Sequence, residues 1–119
     1  MSTAFGPGNA EIHGEAVALV PAGNRTATGS GGTVVAGVHD AARLSLNVTA
    51  ASGTSPSLTV TVQHSADGAT WVNHTSFTAV AGPTTERRVL SGIDRFIRAT
   101  WTITGTTPSF AFSLTGELV

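Results

Sequence analysis

The chain has 119 residues, a formal net charge of −1, 11% charged residues and no cysteine. That length suits one domain with one core, since a domain of this size buries roughly two-thirds of the surface its unfolded chain exposes. The charge balance supplies no basic field for nucleic acid or anionic lipid, and the missing thiols exclude a disulfide framework, a thiolate zinc site and a cysteine nucleophile.

Residues 1–14 carry Gly6, Pro7, Gly8 and Gly14 without periodicity and read as an extended N-terminal arm. They lack the basic and apolar regions of a signal peptide, and no apolar run in the chain approaches the 18 or so residues of a membrane helix, so the expectation is a protein made soluble in the cytoplasm. Residues 15–119 read as one β-sandwich domain. The 19 Thr and 11 Ser, set among Val and Ala, favour pleated, half-buried strands.

In chain order, Glu15–Val20 reads as a strand that Pro21-Ala22-Gly23-Asn24 turns, with a short strand near Arg25–Thr28 and a flexible connector over Gly29–Gly32. Thr33–Val38 is a β-branched run. Ala42–Ala50 alternates, with Leu44, Leu46 and Val48 on one face. Ala51–Pro56 reads as a turn leading into a strand with Leu58, Val60 and Val62 inward, antiparallel to the one before. Asp67-Gly68 predicts a tight hairpin to Trp71-Val72. Thr84–Leu90 and Ile93–Thr104 flank Ser91-Gly92 as adjacent strands, the second burying Ile93, Ile97, Ala99, Trp101 and Ile103 with Arg95 at its solvated end. Ser109–Leu118 closes the domain with Phe110, Phe112 and Leu114 inward. Short strands broken by frequent turns, with no helical period, predict an all-β fold, a single antiparallel β-sandwich of jelly-roll or Greek-key type.

Groups for catalysis are sparse: four His, three Asp, four Glu and no Lys, with no nucleophile-elbow serine. His64 and His74 flank the Asp67-Gly68 hairpin and approach one another across it, although two imidazoles and a carboxylate at a turn are more often solvated surface than a metal site. His13 and His39 read as turn or interface hydrogen-bonding groups, and Asp67 and Asp94 as turn caps rather than paired catalytic acids. Three Asn-x-Thr sequons, at Asn24, Asn47 and Asn73, are frequent by chance in a Thr-rich chain. The expectation is no catalytic residue, no cofactor and no metal. Arg87, Arg88, Arg95 and Arg98 gather four of the six Arg into two strands read as adjacent, where they form either solvated surface or a stripe for an acidic partner. Trp71 and Trp101 read mainly as core, an exposed Trp being instead a mark of a sugar or protein contact.

Ser65-Ala66-Asp67-Gly68-Ala69-Thr70-Trp71 with Arg95-Phe96-Ile97-Arg98 resembles the scaffold hairpin and strand of discoidin-type jelly rolls, which implies a sandwich without assigning a ligand. The spacing departs by one residue from the sialidase Asp-box. More of the chain is similar to head-decoration (cement) proteins of tailed bacteriophages, through the Gly/Pro arm, Thr-rich strands such as Ser57-Leu58-Thr59-Val60-Thr61-Val62-Gln63-His64 and the closing Phe110-Ala111-Phe112-Ser113-Leu114-Thr115-Gly116-Glu117. That resemblance implies a virion structural protein on the capsid exterior, commonly a homotrimer, bound across subunits of the major capsid protein. Phe5, Pro7 and Glu11 of the arm, with Arg87, Arg88, Arg95 and Arg98, are then the partner-binding residues. The alternatives are a carbohydrate-binding module with an aromatic platform, and a tail or neck component of the same particle.

Overall fold

The computed structural model describes residues 15–119, so the expected arm, with Phe5, Pro7, Glu11 and His13, lies outside the described residues. Seven strands follow one another: β1 (Glu15–Arg25), β2 (Gly29–Ser30), β3 (Val34–Val35), β4 (Ala41–Ser65), β5 (Val72–Ser76), β6 (Thr84–Ser91) and β7 (Phe96–Leu118). All pairings are antiparallel. The sheet order is β1-β7-β4-β5, with β2 and β3 also on β7 and β6 on β4.

The fold is organised by β4 and β7, which pair from Ala42↔Leu118 to Ser65↔Phe96 as one long ribbon. The ribbon doubles back on itself, because Trp101 in one half of β7 meets Phe112 in the other half with ring centroids 5.7 Å apart. One layer therefore holds β6, the first half of β4, the second half of β7 and β1. The facing layer holds β2 and β3, the first half of β7, the second half of β4 and β5. This is the expected β-sandwich, with the core between the two layers.

The bend is built by two copies of one short motif, Gly53-Thr54-Ser55-Pro56 in β4 and Gly105-Thr106-Thr107-Pro108 in β7. They face each other at the register shifts of the ribbon, Thr54 opposite Thr106. Gly53 and Gly105 take φ of 113° and 122°. A Cβ on Gly53 would lie 2.8 Å from the Thr107 carbonyl oxygen, and one on Gly105 would lie 2.9 Å from that of Ser55. Each strand thus bends where the other's backbone presses against it, and the arrangement has an approximate two-fold symmetry.

Alternation then fills the core as the sequence predicts. Leu44, Leu46, Val48, Leu58, Val60 and Val62 of β4 and Ile97, Ala99, Trp101, Ile103, Phe110, Phe112 and Leu114 of β7 are all buried. Phe110 is fully buried, and burying one such ring stabilises the fold by about 3 kcal/mol.

Three expectations are corrected. Ala51–Pro56 does not reverse the chain: β4 runs through it, and its two halves pair with β7 rather than with each other, because the matching motif in β7 bends both strands together. Pro21–Asn24 does not end the first strand. β1 continues to Arg25 through register shifts between Ala18 and Val20 and between Val20 and Gly23, and Pro21 is tolerated because β1 is an edge strand. Ser91-Gly92 does not join adjacent strands. β6 pairs with β4 from Ala41↔Ser91 to Val48↔Thr84, and the chain crosses to the other layer before β7 begins, so Leu90 and Ile97 enter the core from opposite sides.

Candidate partner-binding surface

Because β6 and β7 are not neighbours, the four arginines divide into two pairs rather than one stripe. Arg87 and Arg88 lie on β6, Arg98 on β7 and Arg95 just before it.

Arg98 is tied into the sheet. Its guanidinium carbon lies 4.4 Å from the ring centroid of Trp71, its Nε donates to Gln63 Oε1 at 2.8 Å, and Gln63 Nε2 donates to Asn73 Oδ1 at 2.9 Å. Trp71 is left half-buried with a cation against its ring, and Trp101 is buried with its Nε1–H donating to the Ala27 carbonyl at 3.0 Å. Arg95 is exposed and leans over Phe96, 5.7 Å from the ring centroid.

The Asp67 turn is built as the sequence reading holds. Asp67 Oδ1 accepts from the N–H groups of Ala69 and Thr70, each at 2.9 Å, and from the hydroxyl of buried Ser65 at 2.9 Å. Ser65 Oγ in turn accepts from the Gly68 N–H at 2.8 Å, and Gly68 takes φ of 77°. The Thr70 and Ala69 amides, with Ser65 behind them, lower the Asp67 carboxyl to about 2.

His64 and His74 do meet across the hairpin, edge to face with centroids 4.8 Å apart. The His74 Nε2–H donates to the Ser91 carbonyl at 2.7 Å, which leaves its Nδ1 to accept from the Thr75 hydroxyl at 2.7 Å. His64 Nδ1 accepts from the Asp94 N–H at 3.2 Å and lies 3.5 Å from Asp94 Oδ2. These contacts join the Asp67 hairpin to the turn before β7. His39 Nε2 lies 3.6 Å from Glu15 Oε1. Among the described residues, no group of three or more His, Asp and Glu side chains is placed to hold a metal ion.

The other arginine pair borders a different kind of surface. On the outer face of the first layer, Arg43 is flanked by Val89 on β6 and Glu117 on β7 in register. Arg43 Nη1 lies 3.6 Å from Glu117 Oε1, and Val89 is 73% exposed. Between them is a depression of about 270 Å³, walled by Arg43, Arg87, Val89 and Glu117 over Leu44 and Gly116. Gly116 belongs there by necessity, since a Cβ would collide with the Arg43 carbonyl oxygen. Arg88 turns to the other side. Its Nε and Nη2 both lie 2.7 Å from Glu86 Oε2, while Glu86 Oε1 accepts from the Thr78 N–H at 3.0 Å. Burial raises the Glu86 carboxyl, but Arg88 and Thr78 together outweigh it and hold it below its ordinary value.

The sequence reading did not single out Arg43, Val89 and Glu117. Each is visible as an outward position of its strand, but the three come from strands distant in sequence. Arg25 was also missed. It donates to the carbonyls of Pro21 at 2.7 Å, Gly23 at 3.1 Å and Phe112 at 3.2 Å, and stacks on Trp101 and Phe112 at 5.1 Å and 4.9 Å. No protein-family model, curated protein or solved structure matches the chain.

Proposed function

We propose that this chain is a non-catalytic β-sandwich that decorates and stabilises a protein shell, as the head-decoration proteins it resembles do on the capsids of tailed bacteriophages. The observation that carries the reading is the outer face of the first layer, where arginines border an apolar depression around exposed Val89. A surface with an apolar centre and guanidinium rim suits a protein partner with acidic groups. Two of the seven acids are engaged in structure: Asp67 caps its turn and Glu86 holds Arg88 and Thr78.

In this role the sandwich binds across neighbouring major capsid protein subunits, as a trimer, with Phe5, Pro7 and Glu11 among the partner-binding residues. Several modest interfaces engaged together give lasting attachment. The glycan-binding alternative asks for an open aromatic platform. Trp101 is buried and Trp71 carries Arg98 on its ring, so that reading ranks second.

The test is location and stoichiometry. Quantitative mass spectrometry of purified particles is expected to give the chain in a fixed ratio to the major capsid protein, and deletion of residues 2–14 is expected to abolish loading. Absence from particles, or a handful of copies, overturns the decoration role in favour of a tail component or a glycan-binding module.

A further inference from the structure

We propose that the free edge of β6 takes an acidic, extended segment of another protein as an added strand. The inference rests on the reading of this chain as a protein-binding module and supplies its mode of contact.

The outer strands differ in how well they guard their edges. β1 carries two register shifts and Pro21, β2 and β3 are two residues each, and β5 is five residues with a register shift opposite Val62 and Gln63. β6 has eight residues paired to β4 without a break in register. An antiparallel strand turns every second residue's N–H and C=O away from its partner, so β6 presents an unbroken row of such groups on its far side. Among the described residues, the one hydrogen bond to that backbone from outside β4 is His74 on the Ser91 carbonyl, at the strand's end. Long, regular edges of this kind are normally blunted by bulges, proline or charge. Here charge alone remains.

That charge selects the occupant. If two copies paired antiparallel through the middle of β6, Arg87 would lie opposite Arg87 of the other copy, or Arg88 opposite Arg88, because directly opposed residues share a face. Two guanidinium groups would then face one another, and like charges directly opposed destabilise a ladder. An acidic strand reverses the sign: its carboxylates lie beside Arg87, on the face that Arg87 shares with Val89 and the depression, while its alternate apolar side chains fall on the opposite face, the one that buried Leu90 shares. Arg88 and Arg43 already have Glu86 and Glu117 beside them. Arg87 has no carboxylate within ion-pair distance among the described residues and is the residue on which recognition turns.

The probe is a fluorescein-labelled peptide of eight residues, the length of β6, alternating Glu with Val and Thr, titrated with the whole chain by fluorescence anisotropy. Its controls are a Lys-for-Glu counterpart and an acidic peptide with proline at two alternate positions. The acidic peptide is expected to bind and to slow amide hydrogen exchange along β6. Arg87→Glu is expected to weaken it about ten-fold or more and Arg87→Gln less, with thermal stability unchanged because the side chain is exposed. Equal binding of the lysine or proline peptide, protection centred on β1 or β5, or no binding of the acidic peptide overturns strand addition. If particle occupancy survives while peptide binding fails, this mode of contact falls and the decoration role stands. Loss of both removes the two together.

Discussion

A methyl group on Gly105 would meet the Ser55 carbonyl oxygen at 2.9 Å and the Thr54 carbonyl oxygen at 3.0 Å, and both contacts are to backbone that cannot rotate away. With φ at 122° the position is also strained for any residue with a Cβ. Gly105→Ala is therefore expected to cost about 2 kcal/mol or more, read as a lower urea midpoint at unchanged m value. Two residues further on, Thr107 sits at φ 50°, a left-handed conformation that a β-branched side chain tolerates poorly. Asn tolerates it better through its short polar side chain, so Thr107→Asn is expected to gain about 1 kcal/mol in the same measurement. Asp67 makes a prediction in pH. Its carboxyl is lowered to about 2 by the Thr70 and Ala69 amides and the Ser65 hydroxyl. A depressed folded-state value means that its stabilisation is fully present above the unfolded value of about 3.9 and is lost as pH falls through the folded one. The Ala69 and Thr70 amide resonances are expected to shift together with a midpoint near 2; a midpoint near 4 would show that the turn does not hold the carboxylate.

At the scale of elements, the faces of the strands were legible and their partners were not. The alternation of Leu44, Leu46 and Val48, and again of Phe110, Phe112 and Leu114, specifies which side of a strand is buried, because a strand has a period of two whatever it pairs with. The Asp67-Gly68 hairpin was legible for a related reason: turn chemistry is local, and Ser65, Asp67 and Gly68 carry all of it within four positions. Pairing is set by contacts remote in sequence. Local reasoning turned Ala51–Pro56 into a reversal and set β6 beside β7, whereas the ladder joins both to other strands. A usable signal existed in the near repeat of Gly53-Thr54-Ser55-Pro56-Ser57 by Gly105-Thr106-Thr107-Pro108-Ser109, which marks two strands bending at equivalent places. The depression was beyond that kind of reading, since Arg43, Arg87 and Glu117 converge only once β6, β4 and β7 are laid side by side.

For the whole molecule, the doubled ribbon ties the stability of each layer to the other. β4 and β7 form the centre of both layers, so opening one layer removes the apolar face against which the middle of the other packs. Arg25 reinforces this from the rim: it reaches from β1 to the Phe112 carbonyl and stacks on Trp101 of one layer and Phe112 of the other. Burial lowers the basicity of its guanidinium, yet the group stays cationic at any pH where the protein folds. Removing it loses a stacking contact and several carbonyl acceptors at once, and Arg25→Ala is expected to cost about 2 kcal/mol. Arg25→Met keeps the apolar stem over the rings and is expected to recover part of that loss. The distribution of the loss is the informative reading. In native-state hydrogen exchange, the opening free energy of the most protected amides is expected to fall by the same amount in β4 beside β6 and in β4 beside β5, because one cooperative unit spans both layers. A fall confined to β1 would instead make Arg25 a local clasp on an edge strand and the two layers separable.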